Sequence, residues 1–176
     1  MSDISQGARA NLNGKIGETT LEPLFKAHGY AVMMWSEYNK NQKKLKAGKP
    51  VQDLDALPRL VLKQVPYDSI YHHNAQTEFV IYKRDSGKPH RTIRVEVKWQ
   101  QSAGSVDEKY PYVYLNSVYQ YPEHEIVIII DGNGYKEGAL NWIKDKADKK
   151  WLVEDGRSIK VMNLAEFMAF FNKELL

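Results

Sequence analysis

Apolar and polar residues alternate along several stretches of the chain, and this alternation predicts β-strands. It is clearest in R-V-E-V-K-W-Q-Q, residues 94–101, where two valines are flanked by polar residues. A period of two gives a strand with one packed face and one polar face. Glu96 and Lys98 are therefore expected to project from the same face, about 7 Å apart along the strand.

Five further stretches are predicted to be strands. They are residues 30–35, 60–65, 77–82, 125–131 and 158–162. The fourth of them, E-I-V-I-I-I-D, is almost continuously apolar and branched, which is typical of a strand covered on both faces. Pro66 is expected to end the second of them, since proline lacks the N–H that a strand ladder uses.

One pair of strands is predicted to form a hairpin. The turn residues D-S-G-K-P at residues 85–89 lie between the strand that contains Glu78 and the strand that contains Glu96. Such turn chemistry between two strand patterns indicates antiparallel pairing. Periodicity does not set the register, so a facing and a diagonal placement of the two carboxylates both remain open.

A period near 3.6 residues predicts the helices. The predicted helices are residues 13–28, much of 106–119, 135–150 and 164–176. Gly29 is a plausible stop for the first helix, and Asn163 is expected to cap the last. The lysine-rich residues 40–49 fit an exposed helix end or loop, either as a solvated segment or as an arm that contacts phosphate.

The order of these elements predicts an α/β fold, with a central mixed β-sheet flanked by helices. Residues 1–12 are polar and expected to be flexible, and residues 13–176 are long enough for a single domain. The chain has no cysteine, which excludes disulfides, cysteine zinc sites and thiol nucleophiles. The net charge of +3 permits a polyanionic partner without requiring one. Without a signal-like segment or a long apolar run, we expect a cytoplasmic protein that does not enter a membrane.

Acidic residues and one lysine are the candidate functional residues. Glu78, Glu96 and Lys98 come from the hairpin, and Glu18 or Glu22 comes from the first helix. Neighbouring carboxylates repel each other unless a divalent cation neutralises them. Oxygen ligands without cysteine or a histidine pair favour Mg2+ over Zn2+, and Mg2+ beside a lysine suits phosphodiester hydrolysis. An isolated Glu-x-Lys is more often a solvated polar face, so the interpretation depends on the surrounding sequence.

Several segments, taken in order, resemble a known family. G-K-I-G-E ends at Glu18, T-E-F-V-I-Y contains Glu78, and V-E-V-K-W-Q-Q contains Glu96 and Lys98. They are followed by G-S-V-D-E-K-Y-P-Y and by I-V-I-I-I-D-G-N-G-Y-K-E-G-A-L-N-W-I-K. Over roughly residues 10–145, this order resembles the PD-(D/E)xK nuclease superfamily, and specifically its restriction-endonuclease-like branch.

The chain departs from the family pattern at one position. The first acidic residue of the family is usually aspartate, often after proline, whereas here Glu78 follows Thr77. Glutamate still binds metal but reaches one methylene further. If Glu78 pointed away from Glu96, Asp68 or Asp85 would be the substitutes to consider.

The resemblance implies a restriction-endonuclease-like core and a Mg2+-dependent DNA endonuclease, with Mn2+ as a substitute ion. The implied catalytic residues are Glu78, Glu96, Lys98, Gln100 and Glu18, and the implied metal ligands are Glu78, Glu96 and the Val97 carbonyl. Lys98 would orient the attacking water and meet the scissile phosphate. Gln100 would hydrogen-bond a phosphate or water, and Glu18 would hold a metal-bound water or a second metal. The implied partner is double-stranded DNA, and cutting both strands with one active site per chain would require a homodimer.

Other functions fit the same sequence. One alternative is a nucleic-acid-binding module of this fold that does not cleave or that needs a partner to do so, and another is a Holliday-junction-type resolvase. A third is an interaction protein with a basic surface, which would have no divalent-ion site. His72 and His73 are adjacent in a predicted connection, where solvation is the usual role and DNA contact is the alternative. The eleven tyrosines are compatible with several functions.

Overall fold

A computed structural model describes residues 19–87, 89–100 and 105–176 of the chain. Its centre is a six-stranded sheet whose strands lie side by side in chain order. The strands are β1 (Ala31–Met34), β2 (Arg59–Asp68), β3 (Asn74–Lys83), β4 (Arg91–Trp99), β5 (Glu125–Asp131) and β6 (Ser158–Met162). β2, β3 and β4 pair antiparallel, whereas β1 with β2, β4 with β5 and β5 with β6 pair parallel. The predicted mixed sheet is confirmed.

Helices follow most of the strands. They are α1 (residues 19–27), α2 (Trp35–Lys46), α3 (Tyr110–Tyr119), α4 (Glu137–Asp148) and α5 (Leu164–Glu174), with short 3-10 helices at Leu54–Ala56 and Ser105–Lys109. Asn163 caps α5 as predicted, since its side chain accepts a hydrogen bond from the Glu166 N–H at 2.8 Å. None of the helices in the described ranges has the length and apolar character that a bilayer crossing requires.

Helices cover both faces of the sheet. On one face, α1 and α5 place Phe25 and Phe171 against Phe79 and Val95 of the central strands. On the other face, α3 and α4 pack against β5 and β6, and α2 packs against β1 and β2. The α/β fold with helices on both faces is therefore confirmed.

β2 is longer than the sequence predicts. The prediction that Pro66 ends it is wrong, because the strand continues to Asp68 and Pro66 pairs opposite Gln76 of β3. β1 pairs with β2 only as far as Lys63. Beyond that residue β2 is an edge strand within the described part of the sheet, and edge strands tolerate proline.

The ends of several strands lie side by side at one end of the sheet, which we call the site edge. β4 and β5 both end there, and β3 begins there because it runs antiparallel to β4. The end of β4 is fixed by two backbone hydrogen bonds of Gln100, to the Asp131 carbonyl and from the Gly134 N–H, each 2.9 Å long. Gly132 has φ of +95°, and a Cβ there would lie 2.0 Å from the Gln100 carbonyl oxygen. Only glycine permits this close approach.

Candidate active site

Glu78 and Glu96 lie where the hairpin ladder ends. The last described pair of β3 and β4 on this side is Phe79 with Val95, and the two glutamates are the next residues on their strands. Phe79 and Val95 pack into the core beneath α1 and α5, so the glutamates project from the opposite face. The facing placement, which the sequence left open, is the one that the fold adopts.

The ammonium of Lys98 lies among three oxygen atoms. Its Nζ is 2.5 Å from Oε1 of Glu96, 3.4 Å from the carbonyl oxygen of Val97 and 3.8 Å from Oε1 of Glu78. The second carboxylate oxygen of Glu78 accepts a hydrogen bond from the Val97 N–H at 3.0 Å. Four of the predicted site residues are thus brought together, with Glu78, Glu96 and Val97 around the positive charge of Lys98.

Burial and neighbouring charges shift the ionisation of this group. The side chains of Glu78 and Lys98 are 18% and 19% exposed. Burial, followed by the charge of Glu96, raises the pKa of Glu78 to about 7, although Lys98 and the Val97 N–H act in the other direction. Burial by itself would lower the pKa of Lys98, but the two carboxylates outweigh it and raise that pKa. In this arrangement Lys98 is therefore a fixed positive charge and a hydrogen-bond donor, and not a base.

The raised pKa of Glu78 predicts how stability depends on pH without metal. The ordinary carboxyl pKa is 4.5 and the folded value is about 7, so the native state keeps a proton that the unfolded chain has released. We expect the free energy of unfolding to fall as the pH rises from 4.5 to 7, by up to about 3 kcal/mol. Denaturant unfolding in a chelator, at steps across this range, measures it. Glu78→Gln should make the free energy of unfolding less dependent on pH over this range. An equally steep fall in that variant would show that Glu78 is not the group that titrates.

Tyr121 forms a hydrogen bond with Glu96, and the sequence analysis did not predict this contact. Its hydroxyl donates to Oε2 of Glu96 at 3.2 Å, and its side chain is almost fully buried. Burial raises the pKa of Tyr121 well above 10, so the phenol stays a neutral donor. The guanidinium of Arg94 lies 4.7 Å from the Tyr121 ring and is itself held by Glu123 and Thr77. No local pattern connects Tyr121 to Glu96, because the contact depends on how α3 packs on the sheet.

The other predicted residues lie as follows. Gln100 is buried at the end of β4, two residues beyond Lys98. Glu22 forms ion pairs at 2.6 Å with Lys26 and with Lys63, so its charge is already balanced by lysines. Glu18 lies outside the described residues. Since Glu78 itself turns toward Glu96, neither of the substitute aspartates is needed.

The oxygen atoms around Lys98 have the chemistry of ligands for a hard divalent ion. Within the described ranges, no three His, Cys, Asp or Glu side chains cluster at metal-binding distance. The available donors are two carboxylates and the Val97 carbonyl, all of them hard oxygen ligands. Mg2+ usually keeps several waters and is held by one or two carboxylates, so a donor set of this size and chemistry is sufficient.

Comparison with known sequences identifies the family. A model of the PD-(D/E)XK nuclease superfamily domain matches residues 9–175, which is nearly the whole chain. The chain belongs to the PD-(D/E)XK nuclease superfamily. No curated protein and no solved structure matches it. Membership of the PD-(D/E)XK superfamily supports a nuclease-type function and implies a nucleic-acid substrate.

Proposed function

We propose that this PD-(D/E)XK protein is a Mg2+-dependent DNA endonuclease that hydrolyses phosphodiester bonds, with Mn2+ able to replace Mg2+. The observation that carries the proposal is the convergence of two carboxylates and a carbonyl on the Lys98 ammonium. These oxygens already stabilise one cation at the site edge. The stretch Glu96-Val97-Lys98 also resembles the (D/E)xK motif, with Glu96 as its acidic residue and Lys98 as its lysine.

Each residue of the group has a proposed role. Glu78, Glu96 and the Val97 carbonyl would hold the divalent ion, which polarises a phosphoryl oxygen and lowers the pKa of a bound water. Lys98 supplies a positive charge and N–H donors to the attacking water and the scissile phosphate. Water attacks phosphorus in line, and the bond to the leaving 3′ oxygen breaks. That oxygen takes up a proton, so a 5′-phosphate and a 3′-hydroxyl remain.

Two further residues keep supporting roles in the proposal. Gln100 follows the last residue of β4, two residues beyond Lys98, and would hydrogen-bond a phosphate oxygen or a water. Glu18 would hold a metal-bound water or a second ion. The proposed substrate is double-stranded DNA, and two chains would be needed to cut both strands at one place.

Cleavage of supercoiled plasmid tests the proposed function directly. The protein is incubated with Mg2+, Mn2+ or EDTA, and the products are separated by size. We expect nicked or linear DNA with either ion and intact plasmid with EDTA. Discrete fragments would indicate sequence specificity, whereas cleavage of branched but not plasmid DNA would indicate a junction resolvase. Binding without cleavage of plasmid, branched DNA or RNA would contradict the nuclease proposal and favour a binding module.

Tyr121→Phe is expected to weaken Mg2+ binding about 10-fold or more with little loss of fold. The substitution removes only the hydroxyl that donates to Glu96, so the carboxylate is no longer held in one orientation. Groups that orient metal ligands typically contribute 10- to 100-fold to affinity. A titration of thermal stability with Mg2+ measures the effect.

Tyr114→Phe is the matched control for this variant. Tyr114 lies on α3, which ends two residues before Tyr121, and it is also buried, but its hydroxyl donates to the carbonyls of Lys146 and Trp151. Its loss should change stability without changing the Mg2+ midpoint. If both variants shifted that midpoint equally, Tyr121 would act through the fold and not through Glu96.

A further inference from the structure

An exposed aromatic cluster stands at the tip of the hairpin between β2 and β3. Tyr71 is 68% exposed and its ring stacks on that of Tyr112, with centroids 5.1 Å apart and planes 27° apart. The ring of His73 lies 6.2 Å from Tyr71 and 6.4 Å from Tyr112. We call Tyr71, His73 and Tyr112 the aromatic platform. One side of Tyr71 is backed by Tyr112, while much of its ring surface remains open to solvent.

The loop that carries Tyr71 is held by buried polar groups. Ser69 is fully buried, and its Oγ accepts a hydrogen bond from the Tyr71 N–H at 3.3 Å. Its backbone N–H donates to the His73 carbonyl at 3.0 Å. Asn116 of α3, also fully buried, accepts a hydrogen bond from the Ile70 N–H at 2.9 Å. An aromatic ring fixed in this way loses little conformational freedom when it binds a partner.

The platform lies at the same edge of the sheet as the candidate active site. β3 begins at Asn74, directly after the loop, and Glu78 is four residues further along the strand. Asn74 is therefore about 13 Å from Glu78 along β3, and Tyr71 lies three residues before Asn74 in the loop. The span from Asn74 to Glu78 corresponds to about four base steps of a DNA strand at about 3.4 Å each. Tyr112, in the first turn of α3, lies at that edge as well.

The charge of the loop determines which part of a nucleic acid it fits. Residues 68–74 are D-S-I-Y-H-H-N and contain no lysine or arginine, so the loop is poorly suited to neutralising phosphates. An exposed aromatic face instead suits stacking on a base, and every base offers such a face. In an intact duplex both faces of a base are covered by its neighbours, so the fitting occupant is an unpaired base.

We propose that the aromatic platform stacks on an unpaired nucleobase of the nucleic acid that is bound at Glu78, Glu96 and Lys98. This inference rests on the proposed function, because it places the cleaved strand at the site edge. Tyr71 provides the stacking face, and Tyr112 supports the ring from behind. Within the proposed double-stranded DNA substrate, the favoured molecules are thereby those with an unpaired segment, such as a tail, a gap or a junction, a few nucleotides from the scissile bond.

The test compares two tailed duplexes that carry equal numbers of phosphates. One has a single-stranded tail with bases and the other an abasic tail of the same length, so only the bases differ. Binding is measured with Ca2+ in place of Mg2+, because Ca2+ takes the same oxygen ligands, and the oligonucleotides are checked to be intact afterwards. We expect the wild-type protein to bind the tail with bases at least about fivefold more tightly.

Three substitutions show whether Tyr71 is responsible for this preference. Tyr71→Ala should bring the ratio of the two affinities close to one, whereas Tyr71→Phe, which retains the ring, should preserve it. Tyr119→Ala is the matched control, because Tyr119 is also an exposed tyrosine (59%) but lies at the other end of α3. It should leave the ratio unchanged.

The outcomes separate this inference from the proposed function. If the wild type cleaves plasmid but binds both tails equally, or if Tyr71→Ala keeps the preference, the platform inference alone is wrong. If Tyr71→Phe loses the preference as Tyr71→Ala does, the hydroxyl makes the contact and stacking is excluded. If the wild type neither binds these oligonucleotides nor cleaves plasmid, both proposals fail.

Discussion

Lys98→Ala is expected to reduce DNA cleavage by about a hundredfold to a thousandfold. Its ammonium is the positive charge that the described structure places between Glu78 and Glu96. A preorganised donor aimed at developing charge typically contributes that much to the rate. Cleavage of plasmid under single-turnover conditions, with protein in excess, measures the loss. Wild-type rates in this variant would place the chemistry elsewhere on the protein.

The same variant is expected to bind Mg2+ more tightly than the wild type. Without the ammonium, two carboxylates face each other with no cation between them, which makes a divalent ion more favourable there. When thermal stability is titrated with Mg2+, Lys98→Ala should reach half of its stabilisation at a lower Mg2+ concentration than the wild type, and its total gain in stability should be larger. This combination distinguishes a catalytic lysine from one that only supports the fold. A variant that lost both cleavage and Mg2+ stabilisation would show that Lys98 is needed to form the site.

Glu96→Gln is expected to abolish both cleavage and stabilisation by Mg2+. The amide has nearly the same volume and still accepts a hydrogen bond from Tyr121, but it lacks the charge that binds a divalent ion. In the wild type, an ion at 100 times its dissociation constant stabilises the native state by about 2.7 kcal/mol. We expect no such gain in the variant. Thermal titration and plasmid cleavage measure the two effects separately.

Glu22→Gln is the matched control for Glu96→Gln. It removes the charge of a carboxylate that pairs with Lys26 and Lys63 and does not contact Lys98 in the described structure. Its Mg2+ titration and its cleavage rate should match the wild type. Retained Mg2+ stabilisation in Glu96→Gln would remove Glu96 from the ligand set and leave Glu78 as the carboxylate to examine.

Local patterns were enough to predict much of the sheet. The bounds of β5 and β6 agree with the prediction to the residue, since β5 is a compact run of branched apolar side chains between two acidic residues and β6 alternates apolar with polar residues. The prediction for β2 stopped at Pro66, because the local sequence does not show that β2 has no neighbour on one side at that residue within the described sheet. In the lysine-rich segment, residues 40–49, which the sequence left open between helix end and loop, residues 40–46 form the C-terminal half of α2, and residues 47–49 follow the helix.

The candidate site was predictable in its residue types but not in its geometry. The alternation around Glu96 and Lys98 placed both on one strand face, and the hairpin turn placed Glu78 on the neighbouring strand. The alignment of Glu78 with Glu96 depends on the pairing of Phe79 with Val95, which a period of two does not determine. The support from Tyr121 and the exposed position of Tyr71 depend on contacts between distant segments. Their functional roles remain predictions.

The charges around Lys98 have a consequence for how substrate and ion bind. Above pH 7, where Glu78 as well as Glu96 is ionised, the group of Glu78, Glu96 and Lys98 carries one net negative charge. A divalent ion reverses this to one net positive charge, so the site would repel a phosphate without the ion and attract it with the ion. If the protein is the proposed nuclease, binding of DNA and of Mg2+ would then be positively cooperative, and each ligand would raise the affinity for the other by the same factor. Magnesium concentration would accordingly control how much DNA the protein holds, and not only how fast it cuts.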